Sequence, residues 1–307
     1  MTWVGWRLQR TETVVVVGIL ALLAALLVPT GMRMANVYHD NGLSACLTNN
    51  GPACAQRIDG FQSEFQALTV LANWFTLIPG LIGVLLAAPF ILDLEHGTYR
   101  LAWTQSITRR RWLLGKLALP IAVSLVSSLL LIALFTWWRA PFVDLFGRLD
   151  TGVYDTEGTV VIGYTLFALG LALALGAVWR RSAASLAVAF VGYFAMRVFV
   201  DYWLRDRLVS PLTGTWKGAG QPHFLYHAIV LNASATVNGH LVMSTSGGFL
   251  GGHTQLGVPN ASHAIFHAVY RPASQFWSLQ LAETGLFVGI AALLIGFAAW
   301  WTHERVA

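Results

Sequence analysis

Charge is what this chain has least of. Acidic and basic residues make up 11% of its 307 residues while 56% are hydrophobic, a balance that excludes an ordinary soluble domain. Cysteine is scarcer still, with Cys46 and Cys54 alone. The sequence lacks G-x-x-x-x-G-K-[ST]: Gly115-Lys116 has Arg110 where the first glycine should be, so nucleotide binding by that route is excluded. H-E-x-x-H is absent too, although His223/His227 and His263/His267 keep an H-x-x-x-H spacing that puts both rings on one face of a helix. No carboxylate accompanies them, so they read as polar surface histidines and no metal is expected. The net charge of +5 sits at the edges of apolar runs instead of on a compact basic face with interleaved aromatics. Nucleic acid is therefore excluded as a partner.

What the chain has in place of charge is apolar length. Six runs approach the roughly 20 residues that cross a bilayer as a helix. They lie at about 13–29, 69–92, 117–138, 160–178, 182–204 and 278–301. The fold class expected is thus an all-α integral membrane protein with six transmembrane helices. Between the second and third runs lies Asp93 to Lys116, which carries Arg100, Arg109, Arg110, Arg111 and Lys116 against Asp93 and Glu95. A short loop this basic stays in the cytoplasm, and six spans then put both termini there. Gly97-Thr98 breaks the preceding helix, and Thr104, Ser106 and Thr108 are each able to cap a new one. A short cytoplasmic helix that docks a soluble partner is one reading of this loop. A solvated topology signal without a partner is the other.

Met1 to Glu12 pairs Trp3 and Trp6 with Arg7 and Arg10, which predicts an N-terminal interfacial helix. The apolar run behind it is long and no A-x-A site follows, so a cleaved signal peptide is not expected. Cys46 and Cys54 fall in the first outer loop, where oxidation is permitted, and are expected to form a disulfide. Pro79-Gly80 and Pro89 predict a second span that is not straight. Asn73, Trp74 and Phe75 at its outer end suit a pathway lining or an aromatic belt. Arg197 lies within the fifth span, one turn from Asp201, and Glu283 lies near the outer end of the last. Ionisable groups at such depth are costly, so Arg197 is expected to pair with Asp201, Glu283 or both. Residues 205–276 are too polar and glycine-rich to enter the membrane and form a large outer loop domain between helices 5 and 6.

Glu95, Gly97, Thr98, Arg100, Leu101, Ala102, Trp103, Thr104, Gln105, Ser106, Thr108, Arg109, Arg111 and Trp112 together spell E-x-G-T-x-R-L-A-W-T-Q-S-x-[ST]-R-x-R-W. This block resembles the cytoplasmic loop of type-2 ATP-binding-cassette (ABC) exporter permeases, in the form common in actinobacteria. A second block, Tyr270-Arg-Pro-Ala-Ser-Gln-Phe-Trp277 with Gln280 and Glu283, resembles the same family's entry into its last helix. The resemblance implies a coupling helix for an ATPase at Glu95, Gly97, Thr98, Arg100, Trp103–Ser106 and Thr108–Arg111. It also implies a separate ATPase subunit that holds ATP and Mg while this chain binds no cofactor and is not itself an enzyme. A second permease copy completes a two-plus-two complex in a bacterial plasma membrane. The translocation path expected from Asn73, Trp74, Phe75, Arg197, Asp201 and Glu283 would carry a hydrophobic or amphipathic drug, peptide or lipid outward by alternating access. The rival readings are a membrane scaffold or immunity protein without transport and a metal-dependent membrane enzyme.

Overall fold

The computed structural model describes residues 2–46, 52–99, 108–149, 151–218, 222–225, 227–250 and 263–305. Eleven α-helices are described: α1 (Thr2–Asp40), α2 (Leu43–Cys46), α3 (Pro52–Glu64), α4 (Gln66–Trp74), α5 (Ile78–Glu95), α6 (Arg109–Phe146), α7 (Thr151–Tyr154), α8 (Val160–Trp179), α9 (Ser182–Phe199), α10 (Arg205–Leu208) and α11 (Phe276–Arg305). Six stretches are long and apolar enough to cross a membrane: Thr11–Asp40, Gln66–Glu95, Arg109–Phe146, Val160–Trp179, Ser182–Leu208 and Ala273–Arg305. All six expected spans are present as helices, each reaching further than its apolar run.

The separate N-terminal interfacial helix is not found, because α1 continues without a break from Thr2 to Asp40. It also passes Pro29, where the first span was expected to stop. Proline removes a helix N–H, and Thr30 bridges the site: its Oγ donates to the carbonyls of Leu26 at 2.8 Å and Leu27 at 3.2 Å and accepts from Trp138 Nε1 at 3.0 Å. Trp138 belongs to α6, which likewise runs past its expected end. The two helices support each other beyond the apolar region, with Gly31 pressed against the Trp137 and Trp138 rings. Cys46 and Cys54 form a disulfide that ties α2 to α3. The second span departs from a straight helix in a tight 3₁₀ turn at Phe75–Leu77, just before Pro79 enters the first turn of α5.

Helix α8 is the hub. Of its apolar window 83% is buried, against 22–33% for the first, third, fifth and sixth spans. Its glycines explain why. A Cβ at Gly163 would meet Phe287 and Thr284, one at Gly170 would meet the Ala291 carbonyl, and one at Gly176 would meet Ile91. From the other side Gly83 of α5 lies on α8, where a Cβ would come within 2.3 Å of the Thr165 carbonyl. Small residues at these crossings let backbones approach closely, which is how helices associate in a medium as apolar as themselves. The Gly285-x-x-x-Gly289 pair of α11 does not take part, since nothing lies within 4 Å of either position.

Between the fifth and last spans the chain folds into an antiparallel sheet of β1 (Leu212–Lys217), β2 (Ile229–Val237), β3 (His240–Leu250) and β4 (Ile265–Arg271), in the order β1-β4-β2-β3. The outer domain read only as a loop region is therefore built on strands. Asn238 and Gly239, both at positive φ, close the β2–β3 hairpin. Trp216 stacks on Phe266 with ring centroids 5.0 Å apart, and Phe224 closes on Tyr270 over Gly214. A second apolar cluster of Leu149, Tyr154, Ile229, Phe276 and Leu279 seats the sheet on the helices. Neither H-x-x-x-H pair rides on an α-helix: His227 sits in a turn at φ 54° and His267 on β4.

Gly83→Val should cost about 1–3 kcal/mol or more, because the neighbour is backbone that cannot swing aside. Thermal unfolding in detergent should show this drop, whereas Gly289→Val, at an open position, should leave the midpoint within experimental scatter.

Candidate functional site

The end of the bundle that carries the sheet holds a buried ion network. The fifth span supplies Arg197 from α9 and Arg205 from the start of α10, eight positions on. In an uninterrupted α-helix eight residues advance about 800°, leaving the two side chains roughly 80° apart. Val200–Leu204 forms a π turn instead. One extra residue in the turn makes the pair behave as though about seven positions apart, within roughly 20° of the same face. Both guanidinium groups thereby reach one carboxylate, Asp155. Arg197 Nη2 lies 2.7 Å from its Oδ2 and Arg205 Nη2 lies 2.8 Å from its Oδ1.

Arg205 is shared further. Its Nε lies 3.2 Å from Glu283 Oε2, and its Nη1 pairs with Asp201. Tyr154 donates to Glu283 Oε2 at 3.0 Å and Tyr164 donates to Glu283 Oε1 at 2.6 Å. The same two rings face the cations, with Arg197 4.2 Å above Tyr164 and Arg205 4.4 Å above Tyr154. Tyr193 donates to the Thr76 carbonyl at 2.9 Å, in the tightened turn of the second span. Asp155, Arg197, Arg205 and Glu283 are all at least nine-tenths buried. Burial alone would raise the Asp155 carboxyl, but Arg197 and Arg205 hold it below the usual range.

The segment that delivers Asp155 is fastened by Gln280 of α11. Gln280 Nε2 donates to the carbonyls of Tyr154 at 2.9 Å and Glu157 at 3.1 Å, and its Oε1 accepts from Val160 N at 3.0 Å. Gly158, at φ 71°, lies flat against this amide. Arg271 of β4 is buried as well and donates to Val209 O at 2.9 Å, Arg205 O at 3.2 Å and Asp206 Oδ1 at 2.8 Å. Tyr270, Arg271, Gln280 and Glu283 of the second sequence block are thus anchors that join sheet, loop and bundle. Glu157 is different: it is 3% exposed and its Oε1 has no hydrogen-bond partner. Burial pushes its carboxyl up to about 7, against the pull of Arg148 and Arg139.

Beside the network opens a cavity of ≈ 280 Å³, lined by Asn73, Thr76, Leu77, Asp155, Phe194, Arg197, Val198, Asp201 and Tyr202. Three residues expected in a path, Asn73, Arg197 and Asp201, line it. Phe75 does not: it is buried against Phe135 and Trp138. Trp74 points outward and is exposed, and Glu283 sits behind the cavity wall. The pairing expected for Arg197 is corrected. Asp201 and Glu283 both belong to Arg205, and the partner of Arg197 is Asp155, a loop residue that helical spacing along the fifth span cannot reveal. Among the described residues no three His, Cys, Asp or Glu side chains gather as a metal site requires.

At the opposite end, the loop after α5 begins with Gly97 at φ 70°, which only glycine adopts without strain. Thr98 donates to Asp93 Oδ1 at 2.9 Å, and Asp93 pairs with Lys116. Thr108 precedes α6 but makes no side-chain cap bond, and Arg110 and Arg111 are exposed. Arg100, Trp103, Thr104, Gln105 and Ser106 lie outside the described residues. Glu95 does not face the loop; its Oε2 accepts from the backbone N–H of Ser182 at 2.8 Å.

Two outcomes follow from this geometry. Removing one member of a buried pair leaves a bare charge, so Arg205→Ala should lower stability by about 3–5 kcal/mol. Arg33→Ala, which breaks the exposed Arg33–Glu64 pair, should cost no more than about 1 kcal/mol. Denaturation in detergent distinguishes the two. Glu157 has its folded pKa raised, so its favourable contribution is complete below about pH 4.5 and is lost as pH climbs through about 7. Glu157→Gln should therefore be more stable than the parent at pH 8, by up to about 3 kcal/mol, with the gap closing near pH 5. Melting curves across that window check it, and a gap that widens toward acid would contradict the assignment.

A family model described as ABC-2 membrane transporter related matches residues 17–205. Searches of curated proteins and of solved structures find no match.

Proposed function

The chain belongs to the ABC-2 membrane transporter related family, and from that premise we propose that it is the membrane-spanning permease subunit of an ABC exporter. Membership implies partnership with an ABC ATPase subunit. The ATPase holds and hydrolyses ATP, and this chain supplies the path. Two copies of the chain and two ATPases make the working complex, seated in a bacterial plasma membrane with both termini and the loop after α5 in the cytoplasm. The substrate is a hydrophobic or amphipathic molecule carried outward by alternating access.

The observation that carries this reading is the cavity between the second and fifth spans, with its wall of buried charge. Ionisable groups within spans are expensive, pair with one another and face the bundle interior or a cavity, where they mark substrate paths. Here Asp155 and Arg197 are neutralised by each other while still lining a polar recess, and Phe194, Val198 and Tyr202 give it an apolar rim. An amphipathic substrate needs such a pairing of polar floor and greasy edge. The exposed Arg110 and Arg111 at the start of α6 present a basic rim to a soluble partner.

The test is reconstitution of this chain with its ATPase in proteoliposomes, reading ATP-dependent movement of an amphipathic fluorescent probe. Failure to bind any ABC ATPase, or transport that continues with an ATPase unable to hydrolyse ATP, would overturn the reading. Arg110→Glu with Arg111→Glu should leave insertion and thermal stability unchanged and weaken association with the ATPase several-fold at low salt. The difference should shrink at high salt, since exposed charges at a rim mainly steer and orient a partner.

A further inference from the structure

We propose that Glu95 is a positioning residue that acts within the chain: it caps the N-terminus of α9, and through that cap a displacement of the loop is passed to the fifth span. The inference rests on the exporter reading for the source of the displacement, but the cap itself does not.

The first amides of a helix have no partner inside it. Arg181, the residue before α9, is extended at φ −129° and ψ 108° and offers no side-chain cap. Glu95, 87 positions earlier in the chain, fills the gap with the 2.8 Å bond from Ser182 N–H. A carboxylate at this place also meets the positive end of the helix dipole. The neighbouring helix end is treated with the opposite charge. Arg109 Nη1 donates to the His303 carbonyl at 3.3 Å and Arg180 Nη2 donates to the Arg305 carbonyl at 3.4 Å, at the negative end of α11. Residues flanking the basic loop thus hold the near ends of α9 and α11, each with the sign its end calls for.

From Ser182 to Arg205 the fifth span covers about 35 Å, and its far end carries Arg197 and Arg205 into the ion network. Glu95 stands immediately before the Gly97 turn and is exposed, so it contributes a tether and little packing. A push on the loop therefore has a route to the cavity wall through one carboxylate and α9, beside the direct packing of α5 on Tyr193.

The sequence permits removal of the donor. Proline lacks an N–H, is well accepted in the first turn of a helix, and asks for an extended residue before it. Ser182 is the first residue of α9 and Arg181 is extended, so Ser182→Pro deletes the bond from the N–H, together with the hydroxyl's contact to Glu95, while α9 keeps its backbone. Glu95→Ala deletes it from the other side. In nanodiscs without the ATPase, hydrogen exchange at the first amides of α9 should rise about fivefold in Glu95→Ala, the size of a typical N-cap, and return toward the parent rate in Glu95→Gln. In the reconstituted complex each of Glu95→Ala and Ser182→Pro should lower substrate moved per ATP hydrolysed by the same factor. The double variant should be no worse than either, and ATPase affinity should stay at the parent value.

Weaker ATPase binding by Glu95→Ala would mean that the carboxylate contacts the partner, which overturns the proposal. So would normal transport by Ser182→Pro, or losses that multiply in the double variant. Were the parent chain to bind no ATPase, the exporter reading would fall and take the transmission with it, whereas unchanged amide exchange in Glu95→Ala would refute the cap alone.

Discussion

One arginine determines how the sheet end of this protein is built. Arg205 is buried among Asp155, Asp201 and Glu283, which come from a loop, from its own span and from the last helix. Taking the Arg197 and Arg205 guanidinium groups and the Asp155 and Glu283 carboxylates out of water is repaid only when every charge finds a partner in good geometry. The surrounding structure supplies that geometry. The π turn at Val200–Leu204 rotates Arg205 onto the face of Arg197, Gln280 pins the backbone on both sides of Asp155, and Arg271 ties the Arg205 carbonyl to the sheet. Each of these devices makes sense as a condition for burying the same cluster.

The six spans were legible because the bilayer demands about 20 apolar residues and no tertiary partner alters that demand. Their ends were not, since helices that leave the membrane continue while something solvates or supports them. Thr30 and Trp138 do this for α1, and no hydropathy pattern records a hydrogen bond between residues 108 positions apart. Arg197 was recognisable as a charge that needs a partner, yet spacing could only propose partners on the same helix or on a recognised motif. Asp155 stood among several acidic residues of a polar loop and gave no sign of its burial. The sheet does leave a trace: Asn238-Gly239 between Ala235-Thr-Val237 and His240-Leu-Val242 is a strong hairpin signal. Composition, with its glycine and polar residues, pointed to loops and hid the strands.

The first sequence block divides in the same way. Gly97 ends the helix at the break expected there, with a positive φ. Glu95 and Arg109 bear charges that suggested a waiting partner, and the structure gives them helix ends of their own chain. Charged residues beside a membrane have backbone amides and carbonyls at every helix terminus to satisfy, and from sequence alone that use cannot be told from recognition of another protein. Arg110 and Arg111, among the described residues of this stretch, are exposed and face outward.

This division bears on which span is free to move. Helix α8 is locked by glycine contacts to α5 on one side and α11 on the other, and bodies packed backbone to backbone shift only together. Helix α9 is held differently. Its middle presents Val188, Val191, Phe194 and Val198 outward, and little of its apolar window is buried. One narrow face, Ser185, Ala189 and Tyr193, packs on the core, with Gly80 of α5 against the Tyr193 ring, and polar contacts hold the two ends, the Glu95–Ser182 cap and the Asp155–Arg197–Arg205 cluster, with Tyr193 and Arg197 resting on the Thr76 carbonyl. Apolar faces slide past lipid at little cost, whereas each polar end has discrete partners that are either engaged or lost. Helix α9 is therefore packed through one narrow face and pinned by discrete polar contacts at its ends, so a movement of α5 at Glu95 is handed to it both by the cap and by the Gly80–Tyr193 contact.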